Sequence, residues 1–147
     1  MSQSTWASGH MSHRIEWRHD GRRIVLPVLI LKPSPSNDLS GFNGTALLDT
    51  GSTTSGITQR VAHSLDLTRR GKRPIGSIVG EGQAERFLFR VGLPMPGPTP
   101  SFPFVFGDVI GFELIDSSTF DALIGMDILR SCSFAMTDGG DCSLQFG

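Results

Sequence analysis

The stretch ALLDTGSTTSGIT, residues 46–58, determines how the rest of the chain is interpreted. Its first three residues are apolar, and they predict a buried strand over residues 45–48. The strand runs directly into a carboxylate and three small residues: Asp49, Thr50, Gly51 and Ser52. Taken alone, Asp-Thr-Gly most simply forms a turn closed by its own Asp side chain. Whether Asp49 is instead a catalytic residue depends on which residues the rest of the chain places beside it.

Length and composition describe a single globular domain. The chain has 147 residues, of which 38% are hydrophobic and 18% charged, and its formal net charge is -1. A charge this close to zero gives no reason to expect a nucleic-acid partner. The longest apolar run, residues 24–31, is far shorter than the roughly 20 residues of a membrane-spanning helix, so no membrane span is expected.

The first residues differ in character from the predicted domain. Residues 1–13 are mostly small and polar and lack the apolar stretch of a secretory signal, so we interpret them as a flexible tail or expression remnant. Residues 14–147 make up the predicted domain. Two cysteines, Cys132 and Cys142, are too few for a disulfide framework, although one bridge between them stays open. Reduced thiols and the missing signal favour a cytoplasmic location.

Short apolar runs separated by turn formers predict an all-β fold, in keeping with 18 Gly and 9 Pro. Strands are expected over residues 15–19, 22–31, 45–48, 55–57, 74–79, 83–91, 104–114, 122–124, 133–137 and 142–146. Asp20 and Gly21 predict that the first two strands form a hairpin. Two short helices are expected, one capped by Thr58 and one beginning after Gly125.

Two connections between the predicted strands have distinctive compositions. Glycines flank Glu81 at Gly80 and Gly82, and they predict a flexible hairpin that joins strands 74–79 and 83–91. Five prolines between residues 94 and 103 predict an extended segment. A docking site for a proline-binding partner is the alternative for that segment.

A second motif completes the interpretation of Asp49. Leu123, Ile124 and Gly125 form an apolar-apolar-glycine motif at the start of a predicted helix, about 75 residues downstream. The glycine-flanked hairpin lies between the two motifs. In this order the three features resemble the retropepsin-like aspartic proteases, over about residues 23–144. The resemblance implies an all-β, closed-barrel acid-protease fold with one or two short helices, assembled as a homodimer.

The resemblance also assigns roles to residues. Asp49 is implied to be the catalytic group, and the active-site loop is implied to contain Thr50, Gly51 and Ser52. The implied flap over the substrate consists of Ile78, Val79, Gly80, Glu81 and Gly82. The strand implied to pass behind the loop and support it contains Leu123, Ile124 and Gly125.

The chemistry of the loop residues fits these roles. Asp49 can accept and donate a proton to a water held against a peptide carbonyl. Thr50 is stiff and can direct its hydroxyl toward a second copy of the loop. Gly51 permits a tight turn and offers an N–H to the carboxylate, and the Ser52 hydroxyl can bond the outer carboxylate oxygen. Candidate pocket walls are Ile78, Val79, Leu123 and Ile124, although Leu123 is more simply a core residue.

One Asp-Thr-Gly motif occurs in the chain, so a pair of catalytic aspartates requires two copies. The implied function is an aspartic endopeptidase, a homodimer that hydrolyses extended polypeptide segments by activating water between two symmetry-related Asp49 carboxylates. The alternative is a catalytically weak retropepsin-fold module for dimerisation or peptide binding.

No metal or cofactor is expected. The two cysteines lack zinc-ligand spacing, and the histidines are interpreted as surface residues: His10, His13, His19 and His63. Asp121 is interpreted as a residue at the start of a strand, and Asp127 as an anion favoured by the N-terminus of a helix.

Overall fold

The computed structural model describes residues 11–77, 80–97, 102–116 and 119–147. The strands in these ranges are β1 (His13–Arg18), β2 (Val25–Leu31), β3 (Phe42–Leu48), β4 (Gly56–Thr58), β5 (Lys72–Ser77), β6 (Gly80–Leu93), β7 (Phe104–Val105), β8 (Val109–Leu114), β9 (Ala122–Ile124), β10 (Ser133–Met136) and β11 (Asp141–Phe146). The helices are α1 (Gln59–Ser64) and α2 (Met126–Leu129). Neither of these helices has the length and apolar character that crossing a membrane requires.

Six strands close into a barrel in the order β2-β3-β9-β4-β8-β6, because β6 also pairs with β2. Strands β5 and β7 extend this sheet through their pairing with β6. Apolar side chains fill the barrel, among them Leu26, Ile30, Ala46, Ile57, Phe87, Phe89 and Ile124. Burial of this apolar surface is the main force that holds the barrel closed. The predicted all-β, closed-barrel fold with two short helices is confirmed.

A second sheet has the order β1-β11-β10. Its central strand β11 alternates strictly, with Cys142, Leu144 and Phe146 buried against the barrel and the intervening residues turned outward. The predicted closing hairpin of β10 and β11 is confirmed. His13 was expected at the surface, but its ring is half-buried and lies 5.1 Å from that of Phe104 and 5.8 Å from that of Phe146.

The predicted hairpin of the first two strands is wrong. β1 pairs with β11, whereas β2 pairs with β3 and β6 in the barrel. The turn at Asp20 does form, since its carboxylate accepts hydrogen bonds from the N–H groups of Arg22 (2.8 Å) and Arg23 (2.7 Å). These bonds lower the pKa of the Asp20 carboxyl group. The turn carries the chain from one sheet to the other instead of reversing it within one sheet.

The predicted hairpin between the two motifs is confirmed, but its turn lies elsewhere. β5 pairs with β6 from Lys72 opposite Glu85 to Ser77 opposite Gly80. Gly80, Glu81 and Gly82 therefore belong to β6 and not to the turn. Residues 78 and 79, between the two strands in sequence, lie outside the described ranges.

Other predicted boundaries shift by a few residues. β3 begins at Phe42, so the preceding loop is shorter than expected, and the predicted strand 104–114 divides into β7 and β8. Thr58 lies at the predicted N-cap of α1, but its side chain makes no capping bond. Its Oγ1 atom is buried and has no hydrogen-bond partner in the described part of the chain.

Candidate active site

The loop that carries Asp49 passes around the end of β9. β9 lies between β3 and β4, parallel to β3 and antiparallel to β4. Residues 49–55, which connect β3 to β4, must therefore cross the carboxyl end of β9. The Asp49 N–H donates to the carbonyl oxygen of Ile124 at 3.0 Å, which fixes the start of the loop to that strand. The two sequence motifs thus meet as the resemblance implies.

The Asp49 carboxylate is half-buried and held by the loop itself. The N–H of Gly51 donates to Asp49 Oδ1 at 2.9 Å, and the N–H of Ser52 donates to the Asp49 carbonyl at 3.2 Å. A Cβ atom on Gly51 would lie 3.2 Å from Oδ1, tighter than an ordinary contact. The predicted N–H donation from Gly51 to the carboxylate is present.

The Ser52 hydroxyl does not contact the carboxylate, contrary to the expectation. It donates to the carbonyl of Thr54 at 2.7 Å, because the loop curls back and presents that carbonyl to the side chain. The carbonyl of Ser52 accepts the Met126 N–H at 2.7 Å. Ser52 therefore stabilises the loop conformation. Thr50 is exposed, and its hydroxyl bonds to no other group in the described residues, so it is available to a second molecule.

A hydrogen-bond network behind the loop joins Ser55, the last loop residue before β4, to α2. Ser55, only 1% exposed, donates its N–H to Asp127 Oδ2 (2.9 Å) and its hydroxyl to Asp127 Oδ1 (2.7 Å). The same hydroxyl accepts the Gly125 N–H at 3.0 Å. Asp127 was expected to act only on the start of a helix. It also fastens the far end of the Asp49 loop, and sequence reasoning missed its partner Ser55.

Gly125 is required by the close approach of the loop. A Cβ atom at this position would lie 2.7 Å from the backbone carbonyl carbon and oxygen of Thr54 and 2.9 Å from the Ser52 carbonyl oxygen. Real Cβ atoms do not approach backbone so closely. The glycine of the second motif thus permits the loop to lie against α2.

The two apolar residues of the second motif have different surroundings. Ile124 is 1% exposed and belongs to the barrel core, whereas Leu123 is half-buried. Leu123 was expected to be the core residue of the pair, but Ile124 has that role. Asp121 accepts the Thr45 N–H at 2.9 Å and forms an ion pair with Arg60. It acts at the start of β9 as predicted.

A cavity of about 500 Å³ opens beside Asp49. Its lining contains residues from β3, from β10 and from the turn after β1: Leu47, Leu48, Asp49, Met136, His19, Gly21, Arg22, Arg23 and Ile24. Sequence reasoning did not place His19, Arg22, Arg23 or Met136 near the site. The Asp20 turn carries the two arginines there, but no local signal connects that turn with Asp49.

No group of three or more His, Cys, Asp and Glu side chains within residues 11–77, 80–97, 102–116 and 119–147 is arranged to hold a metal ion. Cys132 and Cys142 are both free thiols, which answers the open question of a bridge. Burial raises the pKa of each thiol. Neither cysteine is among the residues that line the cavity beside Asp49.

Comparison with known proteins finds similar solved structures. No family model matches the chain, and no curated protein matches it. A retropepsin-like aspartic protease from Rickettsia conorii aligns over 90% of this chain and 90% of its own, at 19% identity and a TM-score of 0.59. EIAV protease complexed with the inhibitor HBY-793 aligns over 78% and 91% of the two chains, at 24% identity and a TM-score of 0.45. The retroviral protease-like domain of Ddi1 from Leishmania major aligns over 80% and 82%, at 20% identity and a TM-score of 0.42.

The likeness to the Rickettsia conorii structure establishes the class of fold. The chain has the retropepsin-like aspartic protease fold, with its Asp49 loop and its β9 motif in the crossing arrangement described above.

Proposed function

We propose that this protein is an aspartic endopeptidase whose active unit is a homodimer. The observation that carries the proposal is the position of Asp49. Its carboxylate lies on the crossing loop, accepts the Gly51 N–H at 2.9 Å and borders a cavity of about 500 Å³. A half-buried carboxylate at an open cavity can reach both water and a peptide carbonyl, as general acid-base chemistry requires.

A second copy of the chain supplies the second aspartate. Two ionised carboxylates about 3 Å apart, at an effective dielectric near 20, repel by roughly 5 kcal/mol, or about four pK units. Two facing Asp49 side chains therefore share one proton near neutral pH. One acts as the base toward water and the other as the acid toward the carbonyl oxygen. The exposed Thr50 hydroxyl is suited to bond the loop of the second copy.

The substrate is an extended polypeptide segment that lies between the aspartates and the β5–β6 hairpin. Main-chain hydrogen bonds to strand edges hold such a segment, and pockets select its side chains. In the proposed role as a flap, the β5–β6 hairpin covers this segment. Ile24, Leu47 and Met136 give the cavity beside Asp49 apolar walls, which supports a preference for apolar side chains next to the cleaved bond.

Substitution of Asp49 tests whether the protein is an endopeptidase or only a peptide-binding module. The change Asp49→Asn keeps the shape of the side chain and removes the shared proton. We expect it to reduce cleavage of a mixed peptide library by at least about 10³-fold, as for loss of an essential acid-base group. The control Asp138→Asn alters an exposed carboxylate that makes no hydrogen bond in the described part of the chain. Equal cleavage by parent and Asp49→Asn would mean that the catalytic assignment is wrong.

A further inference from the structure

One wall of the cavity beside Asp49 carries two positive charges. Arg22 and Arg23 both line this cavity, and both are exposed. Within the described residues neither guanidinium group forms a hydrogen bond or an ion pair. Other arginines of the chain do pair with a carboxylate: Arg14, Arg18, Arg60 and Arg69. The two guanidinium groups at the cavity therefore keep their donors available to a bound molecule.

The carboxylate nearest to the two arginines in sequence is used by the backbone. Asp20 Oδ1 accepts the N–H groups of Arg22 at 2.8 Å and Arg23 at 2.7 Å. Among the described ion pairs, none joins Asp20 or Asp49 to either guanidinium group. The turn thus fixes the backbone of both arginines without occupying their side chains.

The arginines are placed beside Asp49 by the pairing of β2 with β3. The Leu48 N–H donates to the Ile24 carbonyl at 2.8 Å, which continues the antiparallel register of the two strands beyond β2. One further step in this register brings Arg23 to the level of Asp49. The position of Arg23 therefore follows from the same strand pairing that positions the proposed catalytic group.

The other end of the turn is attached to the second sheet. The His19 N–H donates to the Gly140 carbonyl at 3.2 Å, and His19 Nδ1 accepts the Gly21 N–H at 2.9 Å. Gly21 has a φ of 85°, in the left-handed region that favours glycine. Because the turn is held at both ends, little backbone has to be ordered when a ligand binds to the arginines.

Apolar walls and the two arginines share this cavity. Ile24, Leu47 and Met136 supply its apolar surface. Its volume of about 500 Å³ lies within the roughly 300–1,000 Å³ of small-ligand sites. In an extended peptide, side chains two residues apart point the same way and lie roughly 7 Å from each other. The cavity is thus suited to an apolar side chain next to the cleaved bond and a charged one further along.

We propose that Arg22 and Arg23 select substrates with an acidic side chain, Asp or Glu, within about three residues of the cleaved bond. This inference rests on the proposed endopeptidase and names a class of its substrates. A guanidinium group binds a carboxylate through two parallel N–H···O bonds, and these charge-assisted bonds are stronger than those to a neutral amide. A Glu side chain is therefore preferred to a Gln side chain of nearly the same shape.

Peptide binding to the Asp49→Asn protein tests this preference without any need for catalysis. The probes are ten-residue Ser/Ala peptides with a central Phe-Leu pair, a neutral fluorophore and one Glu or one Gln at each of the three positions on either side of that pair. We expect fluorescence anisotropy to show at least about fivefold tighter binding of the Glu peptide at one position or more. Equal binding of Glu and Gln peptides at every position, or binding of neither, overturns the proposal.

Substitution of the arginines assigns the preference to these two side chains. In the same Asp49→Asn background, Arg22→Gln with Arg23→Gln should bind Glu and Gln peptides equally. The control Arg130→Gln removes the same charge from an exposed residue outside the cavity lining and should keep the preference. Lysines at positions 22 and 23 should keep part of it, because the charge remains while the paired geometry is lost. A preference that survives both glutamines, or that the lysines abolish as fully as the glutamines, contradicts the proposal.

Salt gives an independent measurement on the same peptides. Both arginines are exposed, so their attraction for a carboxylate is screened when the Debye length falls to about 3 Å in 1 M salt. We expect the difference between Glu and Gln peptides to decrease severalfold between low salt and about 1 M salt, while binding of the Gln peptides changes little. A difference that does not respond to salt would show that charge is not its source.

Cleavage assays separate this inference from the proposed activity. If Asp49→Asn prefers Glu peptides and the parent protein cleaves none of them, the arginine subsite stands and the endopeptidase assignment fails. If the parent cleaves Glu and Gln peptides with equal kcat/KM, the activity stands and the selection is wrong. Equal losses of kcat/KM for both peptides in Arg22→Gln with Arg23→Gln would mean that the arginines act on Asp49 and not on the substrate, which also overturns the proposal.

Discussion

Replacement of Asp127 by alanine should destabilise the protein by about 2–3 kcal/mol. The carboxylate accepts two hydrogen bonds from Ser55, at 2.9 Å from the N–H and 2.7 Å from the hydroxyl. Ser55 is 1% exposed, so its N–H would be left without a partner or water, at a cost of about 1–3 kcal/mol. The hydroxyl would keep its bond from the Gly125 N–H but lose its acceptor. The carboxylate of Asp127 is only half-buried, so it keeps part of its hydration in the parent. Its removal therefore relieves only a small desolvation cost and offsets little of the lost hydrogen bonding.

Urea unfolding at one fixed protein concentration measures this change, because ΔG of unfolding and the slope m are obtained together. Asp127→Asn, which retains one acceptor oxygen, should lose about half as much. Asp138→Ala is the matched control, since surface changes without partners stay within about 0.5 kcal/mol. In a double-mutant cycle, Asp127→Ala and Ser55→Ala should couple by about 1–2 kcal/mol. If Asp127→Ala matches Asp138→Ala, the network does not hold the Asp49 loop and the structural reasoning is refuted.

Two further substitutions and one labelling experiment test separate features of the fold. Gly125→Ala should cost about 1–3 kcal/mol in urea unfolding and abolish peptide cleavage, since its Cβ atom would meet the backbone of the Asp49 loop at 2.7 Å; normal cleavage would contradict this. Thr58→Val should raise the free energy of unfolding by about 1 kcal/mol, because it removes a buried hydroxyl without a partner in the described residues; a loss of stability would show that the hydroxyl is satisfied. Cys132 and Cys142 should react slowly with iodoacetamide at pH 7 in the native state and rapidly in urea, because burial raises the pKa of both thiols. With the folded pKa above the unfolded one, their contribution to stability is complete below the unfolded thiol value and is lost as the pH rises toward the folded value; equal native and unfolded labelling rates would rule this out.

The central part of the site could be predicted because its signals are local in sequence. An apolar run that ends in Asp49 and an apolar pair before Gly125 each indicate a buried strand followed by a tight backbone approach. The order of the motifs supported the resemblance to retropepsin-like aspartic proteases. That resemblance implied that the loop and β9 cross, and the structure contains this crossing. The tight turn at Gly51 also predicted a hydrogen bond from its N–H to the Asp49 carboxylate, and this bond is present.

The predictions from sequence are wrong where the same local sequence signal fits two structures and contacts with distant residues determine which one forms. The turn at Asp20 has the same sequence signature whether the chain reverses within a sheet or passes between sheets. The chain passes between sheets at this turn because β1, through Ile15 and Trp17 among others, pairs with β11, which lies more than 120 residues further on. The Ser52 hydroxyl was likewise free to bond either the Asp49 carboxylate or the Thr54 carbonyl, and only the curl of the loop selects the carbonyl.

Ser55 and Asp127 illustrate a further limit of prediction from a single sequence. They are separated by 72 residues, and each has an ordinary local explanation at a strand start or a helix start. Their mutual hydrogen bonds exist because β9 brings α2 against β4. No pattern in a single sequence marks such a pair, although it holds the loop that carries Asp49.

The most direct test of the shared aspartate pair is cleavage by mixtures of the parent protein and Asp49→Asn. Total protein concentration is held constant while the fraction of parent is varied, and the initial rate of peptide cleavage is measured. If catalysis needs one Asp49 from each of two copies, mixed dimers are inactive and an equal mixture has about one quarter of the parent rate, as the square of the fraction requires. An equal mixture with about one half of the parent rate would mean that each Asp49 acts alone, and the account of a dimeric aspartic endopeptidase would be contradicted.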